Sequence, residues 1–246
     1  DLGSEIRRMF IPADGCVLVD ADYSQIELRL LAHISGDTGM PEACLSAGDF
    51  HAETAAKVFH VARGDVTPEM RRRAKAVNFG IVYGISAFSL SQDIGSTVAE
   101  AKAYMDAYFA TFPGVRKYMD DVVEKAKETG YVETLFHRRR DLPELTSSNH
   151  NLRAFGERVA LNMPIQGTAA DIMKLAMAAV ARRLQAERPD ARLVLQVHDE
   201  LIVECPAAEA EAVARLLEEE MENVVHLSVP LTAQAHWGKN WLEAKG

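Results

Sequence analysis

The chain has 246 residues, 48% hydrophobic and 26% charged, an ordinary globular composition with enough length to bury a real core as one large domain or two smaller ones. No apolar run approaches the roughly 20 residues of a membrane span, and the three cysteines, Cys16, Cys44 and Cys205, lack the spacing of a zinc site or a disulfide framework and fit a reducing cytosol. The net charge of −9 taken alone argues against a nucleic-acid binder, but the charge is uneven. Arg63, Arg71, Arg72, Arg73 and Lys75 stand against only Asp65 and Glu69 in residues 63–84, and HRRR follows at 137–140. The acids concentrate in residues 207–223, which read as the solvated face of a helix. The opening, DLGSEIRRMF, has neither Met nor a signal peptide and reads as the middle of a longer polypeptide.

In chain order, CVLVDAD (16–22) predicts a buried strand whose alternation puts Leu18, Asp20 and Asp22 on one face. A helix follows over 24–35, closed by Gly36. Asp49 caps a helix through Phe59, and Thr67-Pro68-Glu69 opens another that carries RRRAKAVNFGIVYG. Thr97 and Glu100 form a capping box, and a further helix spans 113–129, ended by Gly130. YVETLF (131–136) is expected to be extended. Thr168 and Asp171 resemble a second capping box, opening a helix to about Ala186. RLVLQV and LIVE flank His198-Asp199 as a hairpin, an acidic helix follows, and a last strand is expected near 227–235. Strands at both ends and helices between them predict a sheet-based domain interrupted by a helical insertion, which lets the strand of Asp22 meet the hairpin of Asp199.

Two constellations carry chemistry. Asp22 and Asp199, brought together without a basic neighbour, must take up a proton or bind cations, and hard carboxylate oxygens suit magnesium; two unrelated surface acids are the plain alternative. Arg71, Lys75, Phe79 and Tyr83 recur every four residues, so they form a slowly winding stripe of two cations and two rings. That order suits a nucleotide, phosphates on the cations and sugar and base on the rings, although such a stripe is more often core. Asn78, Gly80 and Gly84 tilt the balance toward a helix end that bends or admits a close neighbour. Arg158, Asn162 and Gln166 form a polar ridge that, unaided, is an ordinary exposed helix face.

DADYSQIELR, RRRAKAVNFGIVYG and QVHDELIVE, in that order, resemble motifs A, B and C of family A DNA polymerases, the bacterial DNA polymerase I type. The resemblance runs through GYVETLFHRRRDLPEL and NMPIQGTAADIMKLAM and so covers essentially the whole chain. It implies an α+β fold: a right-hand polymerase palm, an antiparallel sheet with packed helices, interrupted by a helical fingers domain. Residues 1–35 would be the first palm piece with motif A, 36–155 the fingers with the motif B helix, and 156–246 the second palm piece with motif C. The thumb, the first palm segment and an upstream arginine motif of the family are not in this chain, so weak activity alone is expected.

The resemblance further implies a DNA-directed DNA polymerase that extends a primer with dNTPs by a two-metal mechanism. Asp22, Asp199 and the Tyr23 carbonyl would hold two Mg²⁺ ions. Glu200 would be an auxiliary acid near the primer end. Arg71, Lys75 and His51 would grip the triphosphate, with Lys75 able to protonate pyrophosphate; Phe79 and Tyr83 would pack on sugar and nascent base pair, and Gln25 joins the nucleotide contacts. Glu27 would be a steric gate against the 2′-hydroxyl. Arg153, Arg158, Asn162, Gln166 and His198 would lie near template or primer. Primer-template DNA is the implied partner, with no membrane and no obligate protein partner, in the cytoplasm at the nucleoid. Asp20 receives no role. A single-subunit RNA polymerase is disfavoured by Glu27 and Phe79. A binding-only module and an HD phosphohydrolase remain as alternatives, the latter needing further histidine and acid ligands on helices, whereas His198-Asp199 sits between strand-like runs.

Overall fold

The computed structural model of the protein describes residues 2–45 and 49–246. Helix α1 (Leu2–Arg7) precedes strand β1 (Cys16–Tyr23), and helices α2 (Ile26–Ser35), α3 (Met40–Leu45) and α4 (Phe50–Phe59) follow. Next come α5 (Pro68–Val82), α6 (Ala87–Ile94), α7 (Val98–Thr111) and α8 (Pro113–Thr129). A short hairpin, β2 (Tyr131–Glu133) and β3 (Arg139–Asp141), leads to the long helix α9 (His150–Glu187). The chain then forms β4 (Arg192–Val197), β5 (Glu200–Pro206), α10 (Ala210–Asn223), β6 (Ala233–Gly238) and α11 (Trp241–Ala244). These elements fold as two compact units, Asp1–Ile26 with Ala169–Gly246, and Glu27–Thr168.

The first unit is built on an antiparallel sheet in the order β4-β5-β1-β6. β1 lies inside the sheet and is covered on both faces, so Val17, Leu18, Val19, Ala21 and Tyr23 are all buried rather than alternating. On one face Tyr23 donates its hydroxyl hydrogen to the Met221 carbonyl of α10 at 2.7 Å. α10 buries Val213, Ala214, Leu216, Leu217 and Met221, an apolar stripe at helical spacing, each large side chain contributing about 1.5–3 kcal/mol by leaving water. The other face of β1 carries Leu18, which packs with Ile202 of β5, Ala244 and Trp241. Edge strand β4 is mostly exposed, including Val194.

The second unit is helical apart from β2 and β3. Its helix starts follow from local chemistry. Asp49 accepts from the N–H groups of His51 and Ala52, the Thr67 hydroxyl accepts from Met70 N–H with Pro68 at the first position, and Thr97 and Glu100 form a reciprocal capping box. Gly130 ends α8 at φ +79°. Tyr108, Phe112, Leu90, Ile94 and Ile81 are among its fully buried large side chains.

Five expectations change. Gln25 takes φ +55°, so α2 begins at Ile26 rather than Ser24. Extended structure after Gly130 covers only Tyr131–Glu133, because a turn over residues 134–138 intervenes, closed by Thr134 N–H donating to the Arg138 carbonyl and His137 N–H to the Thr134 carbonyl. The last strand is Ala233–Gly238, shifted beyond residues 227–235. There is no helix start at Thr168, which lies inside α9. A Cβ at Gly167 would sit 2.7 Å from Thr134 Cγ2, and the Thr168 hydroxyl accepts from Leu135 N–H at 3.1 Å while donating to the Pro164 carbonyl. Gly-Thr here serves close packing of the β2–β3 hairpin on the helix, not a break. The acidic helix is also more than a solvated face, since Glu222 and Glu218 accept from Ala233 and Ala235 N–H of β6 at 3.0 and 2.9 Å.

Candidate active site

The pairing of β1 with β5 sets Asp22 directly opposite Glu200, and Tyr23 N–H donates to the Asp199 carbonyl at 3.0 Å. The two aspartates, remote in sequence, therefore meet at one end of the sheet, Asp22 on β1 and Asp199 in the turn before β5. Asp199 occupies a two-residue turn whose first residue, His198, has φ +51°, a conformation that β4 and β5 hold in place. Gln196 Nε2 donates to the His198 carbonyl at 2.7 Å and tightens that turn.

Three further groups complete the cluster. Asp20 is 3% exposed, on the same strand face as Asp22, and accepts from Trp241 Nε1 at 3.1 Å. Burial first, then the charge of Glu200, pushes its carboxyl up to about 7, against the opposing pull of Lys245 and the Trp241 bond. Glu200 is buried and ion-pairs with Lys245, whose Nζ also lies 3.9 Å from Asp22 Oδ2. Asp22 is raised above the ordinary carboxylate range by burial and by Asp199 and Glu200, while Lys245 and His236 pull it down. Lys245 and Trp241 were not legible as site residues: nothing in a short C-terminal helix announces which strand it covers. Asp20 acquires a physical role, a buried acid seated on an indole N–H.

In the second unit the α5 stripe is not core. Arg71, Lys75 and Tyr83 are exposed and Phe79 half-buried, while Ala74, Val77, Asn78, Ile81 and Val82 form the buried face. Arg71 ion-pairs with Asp49, Lys75 Nζ lies 6.0 Å over the Phe79 ring, and the His51 ring packs 5.5 Å from Phe79. Asn78, fully buried, donates to Thr54 Oγ1 at 3.2 Å and lies 3.0 Å from His51 Nδ1, pinning the imidazole. His51 is itself 3% exposed, and burial, with Lys75 and Arg71 adding and Asp49 opposing, lowers its pKa to about 4. It is neutral near pH 7 in this ligand-free state. Glu27, at the start of α2, accepts from the Tyr83 hydroxyl at 2.8 Å. The glycines have distinct reasons: a Cβ at Gly80 would meet Ile85 Cγ2 at 2.6 Å, and Gly84 takes φ +65° against Leu161 and Arg158.

Residues 1–243 match the family model described as DNA polymerase family A. The chain belongs to DNA polymerase family A. It is 54% identical over 244 residues to DNA polymerase I of Geobacillus stearothermophilus, and equally to that of Bacillus subtilis (strain 168), covering 99% of this chain and 28% of each relative. The chain thus spans less than a third of the length of those relatives. Among solved structures it is similar to the POL domain of Pol1 from M. smegmatis, in complex with DNA primer-template and dNTP, with 44% identity and a TM-score of 0.94. That match covers all of this chain and 44% of the other.

Members of this family are generally divalent-metal dependent. Among the described residues no group of three or more His, Cys, Asp or Glu side chains is arranged to enclose a metal. Two carboxylates and a main-chain carbonyl nevertheless fit magnesium, which takes one or two carboxylates and draws its remaining oxygens from water and phosphates. Burial is the main reason that the Asp22 carboxyl is raised, and a cation between the acids would relieve only the smaller part that comes from Asp199 and Glu200.

The remaining sequence candidates in this family A chain lie at surfaces of α9 and the β4–β5 turn. Arg158 and Gln166 are exposed and Asn162 half-buried on one face of α9. Asn162 Oδ1 is buried with no hydrogen-bond partner among the described residues. Arg153 is tied back onto its own helix start, donating to the Ser147 and Ser148 carbonyls at 2.7 and 2.9 Å. His198 is exposed at the turn. Among the described residues no helix is long and apolar enough to cross a membrane.

Proposed function

We propose that this chain supplies the palm and fingers of a DNA-directed DNA polymerase, residues 1–35 and 156–246 serving as palm and residues 36–155 as fingers. The observation that carries the reading is the β1–β5 register, which brings Asp22 beside Glu200 and Asp199 from opposite ends of the sequence. The family membership and the likeness to a polymerase domain bound to primer-template DNA and dNTP support it.

In this reading Asp22, Asp199 and the Tyr23 carbonyl hold two Mg²⁺ ions, which when bound lower the pKa of a primer 3′-hydroxyl and neutralise the departing pyrophosphate. The protein positions the reactants. The hairpin turn and the interior strand β1 keep the two carboxylates on rigid elements rather than loops. Arg71 and Lys75 supply the positive charge for the triphosphate, His51 adds an N–H, and Lys75 is placed to give a proton to pyrophosphate. Phe79 and Tyr83 offer ring faces to the sugar and nascent base pair, Gln25 an amide, and Glu27 excludes a 2′-hydroxyl. Glu200 steadies the primer end. Arg153, Arg158, Asn162, Gln166 and His198 contact template or primer, and sequence-independent minor-groove acceptors are what such donors read. The working place is the cytoplasm, at the nucleoid.

Primer extension by the full-length protein tests this. Asp22→Asn and Asp199→Asn each lower the rate by on the order of 10³ or more with little change in primer-template affinity. An unimpaired rate in either variant overturns the reading.

A further inference from the structure

Lys245 is seated with more care than a surface lysine requires. It caps α11, a four-residue helix fixed on several sides. Trp241 N–H donates to the Phe10 carbonyl at 3.0 Å, and the Trp241 ring meets Phe10 edge to face at 5.3 Å, with the Arg7 guanidinium 5.3 Å over it. Trp241 Nε1 is bonded to Asp20, and Ala244 is fully buried with Leu18 and Ile202. These contacts aim one ammonium at the acid-bearing face of the sheet, where it pairs with buried Glu200 and stands 3.9 Å from Asp22. Asp20, Asp22, Asp199 and Glu200 crowd that end of the sheet; His236 of β6 also acts on Asp22. A fixed cation there does electrostatically what a divalent ion does, and the two cannot share Asp22 without repulsion.

We propose that Lys245 is a positioning residue that serves as the resident counter-cation of the acid cluster. Without a divalent ion it holds the Glu200 and Asp22 carboxylates in place; when the ion binds, Lys245 gives up Asp22 and keeps Glu200. The site is thereby kept ordered between turnovers, at the expense of some metal affinity. The inference rests on the metal reading of Asp22 and Asp199.

The test uses the full-length protein without DNA, with Lys245→Met, Lys245→Arg and Asp22→Asn. Mn²⁺ binding is measured by calorimetry and by the electron paramagnetic resonance signal of free Mn²⁺, and thermal unfolding is followed with and without the ion. Removing a competing charge about 4 Å from a ligand makes Lys245→Met bind Mn²⁺ about five-fold more tightly. Its unfolding midpoint falls in metal-free buffer and recovers in part when Mn²⁺ is added, because the bound ion replaces the ammonium at Asp22 but not at Glu200. Lys245→Arg restores wild-type behaviour in both measurements. An unaltered Mn²⁺ affinity in Lys245→Met, with a midpoint loss equal in both buffers, marks a merely structural lysine and overturns the inference alone. A wild type that binds no more Mn²⁺ than Asp22→Asn overturns the metal reading and this inference with it.

Discussion

The Tyr83 hydroxyl donates a 2.8 Å hydrogen bond to a Glu27 carboxylate oxygen, joining the end of the α5 stripe to the first turn of α2. A residue proposed as a sugar gate is thus oriented by a residue proposed to pack on the base pair. Glu27→Ala in the full-length protein is expected to raise ribonucleotide use relative to deoxynucleotide use by about ten-fold or more. Tyr83→Phe, which keeps the ring and removes only the bond, shifts discrimination by a few-fold. Steady-state incorporation of matched rNTP and dNTP pairs measures both, and unchanged discrimination in Glu27→Ala rules out the gate.

Lys75 is exposed beside Phe79 on the outward face of α5, so its removal leaves the packing of that helix intact. Lys75→Ala is expected to lower kcat/KM for dNTP by about 10² or more, the loss of a charge-assisted phosphate contact and a proton donor together. Stability should change by no more than about 0.5 kcal/mol. A folded but destabilised variant with normal nucleotide use would return the stripe to a structural role.

Gly84 combines φ +65° with a Cβ position 2.9 Å from Leu161 Cδ1, whereas Gly95 has φ +63° and open space. Both Gly→Ala changes carry the left-handed backbone cost, about 1 kcal/mol. Gly84→Ala adds a displacement of the Leu161 side chain and is expected to reach about 2 kcal/mol. Urea denaturation of the two variants isolates the clash as their difference; equal losses show that Leu161 yields freely.

His51 titrates near 4 in the folded protein against an ordinary value of 6.5, chiefly because it is buried. Between those values the unfolded chain binds a proton that the folded one refuses, so stability is complete above pH 6.5 and falls as pH drops toward 4. The contribution approaches about 3 kcal/mol at the acid end. His51→Gln, which can still meet Asn78, should lose less stability than wild type over that window. Parallel pH profiles of the two proteins would show no His51 contribution.

Much of the local structure was readable because it rests on short-range chemistry. Asp49, Thr67 and Thr97 cap helices with their own side chains, and Gly130 supplies a backbone angle that other residues resist. Thr168 shows where that logic stops. Its capping-box pattern is genuine as a pattern, yet hairpin packing against Gly167 and the bond from Leu135 consume the same residues within a continuous helix. The burial of His51, which lowers its pKa, was likewise not readable along the chain, because burial is a tertiary property.

From the amino-acid order alone came strands at both ends with helices between them, the four-residue stripe of Arg71, Lys75, Phe79 and Tyr83, and the hairpin turn at His198 and Asp199, since periodicity and turn chemistry act over a few residues. Only the folded chain decided that Asp22 faces Glu200 across a sheet, that Asp20 rests on Trp241, and that Lys245 enters the acid cluster. Those pairings join residues from opposite ends of the chain, and which of many possible partners meets a given strand face is settled by packing, not by spacing along the backbone.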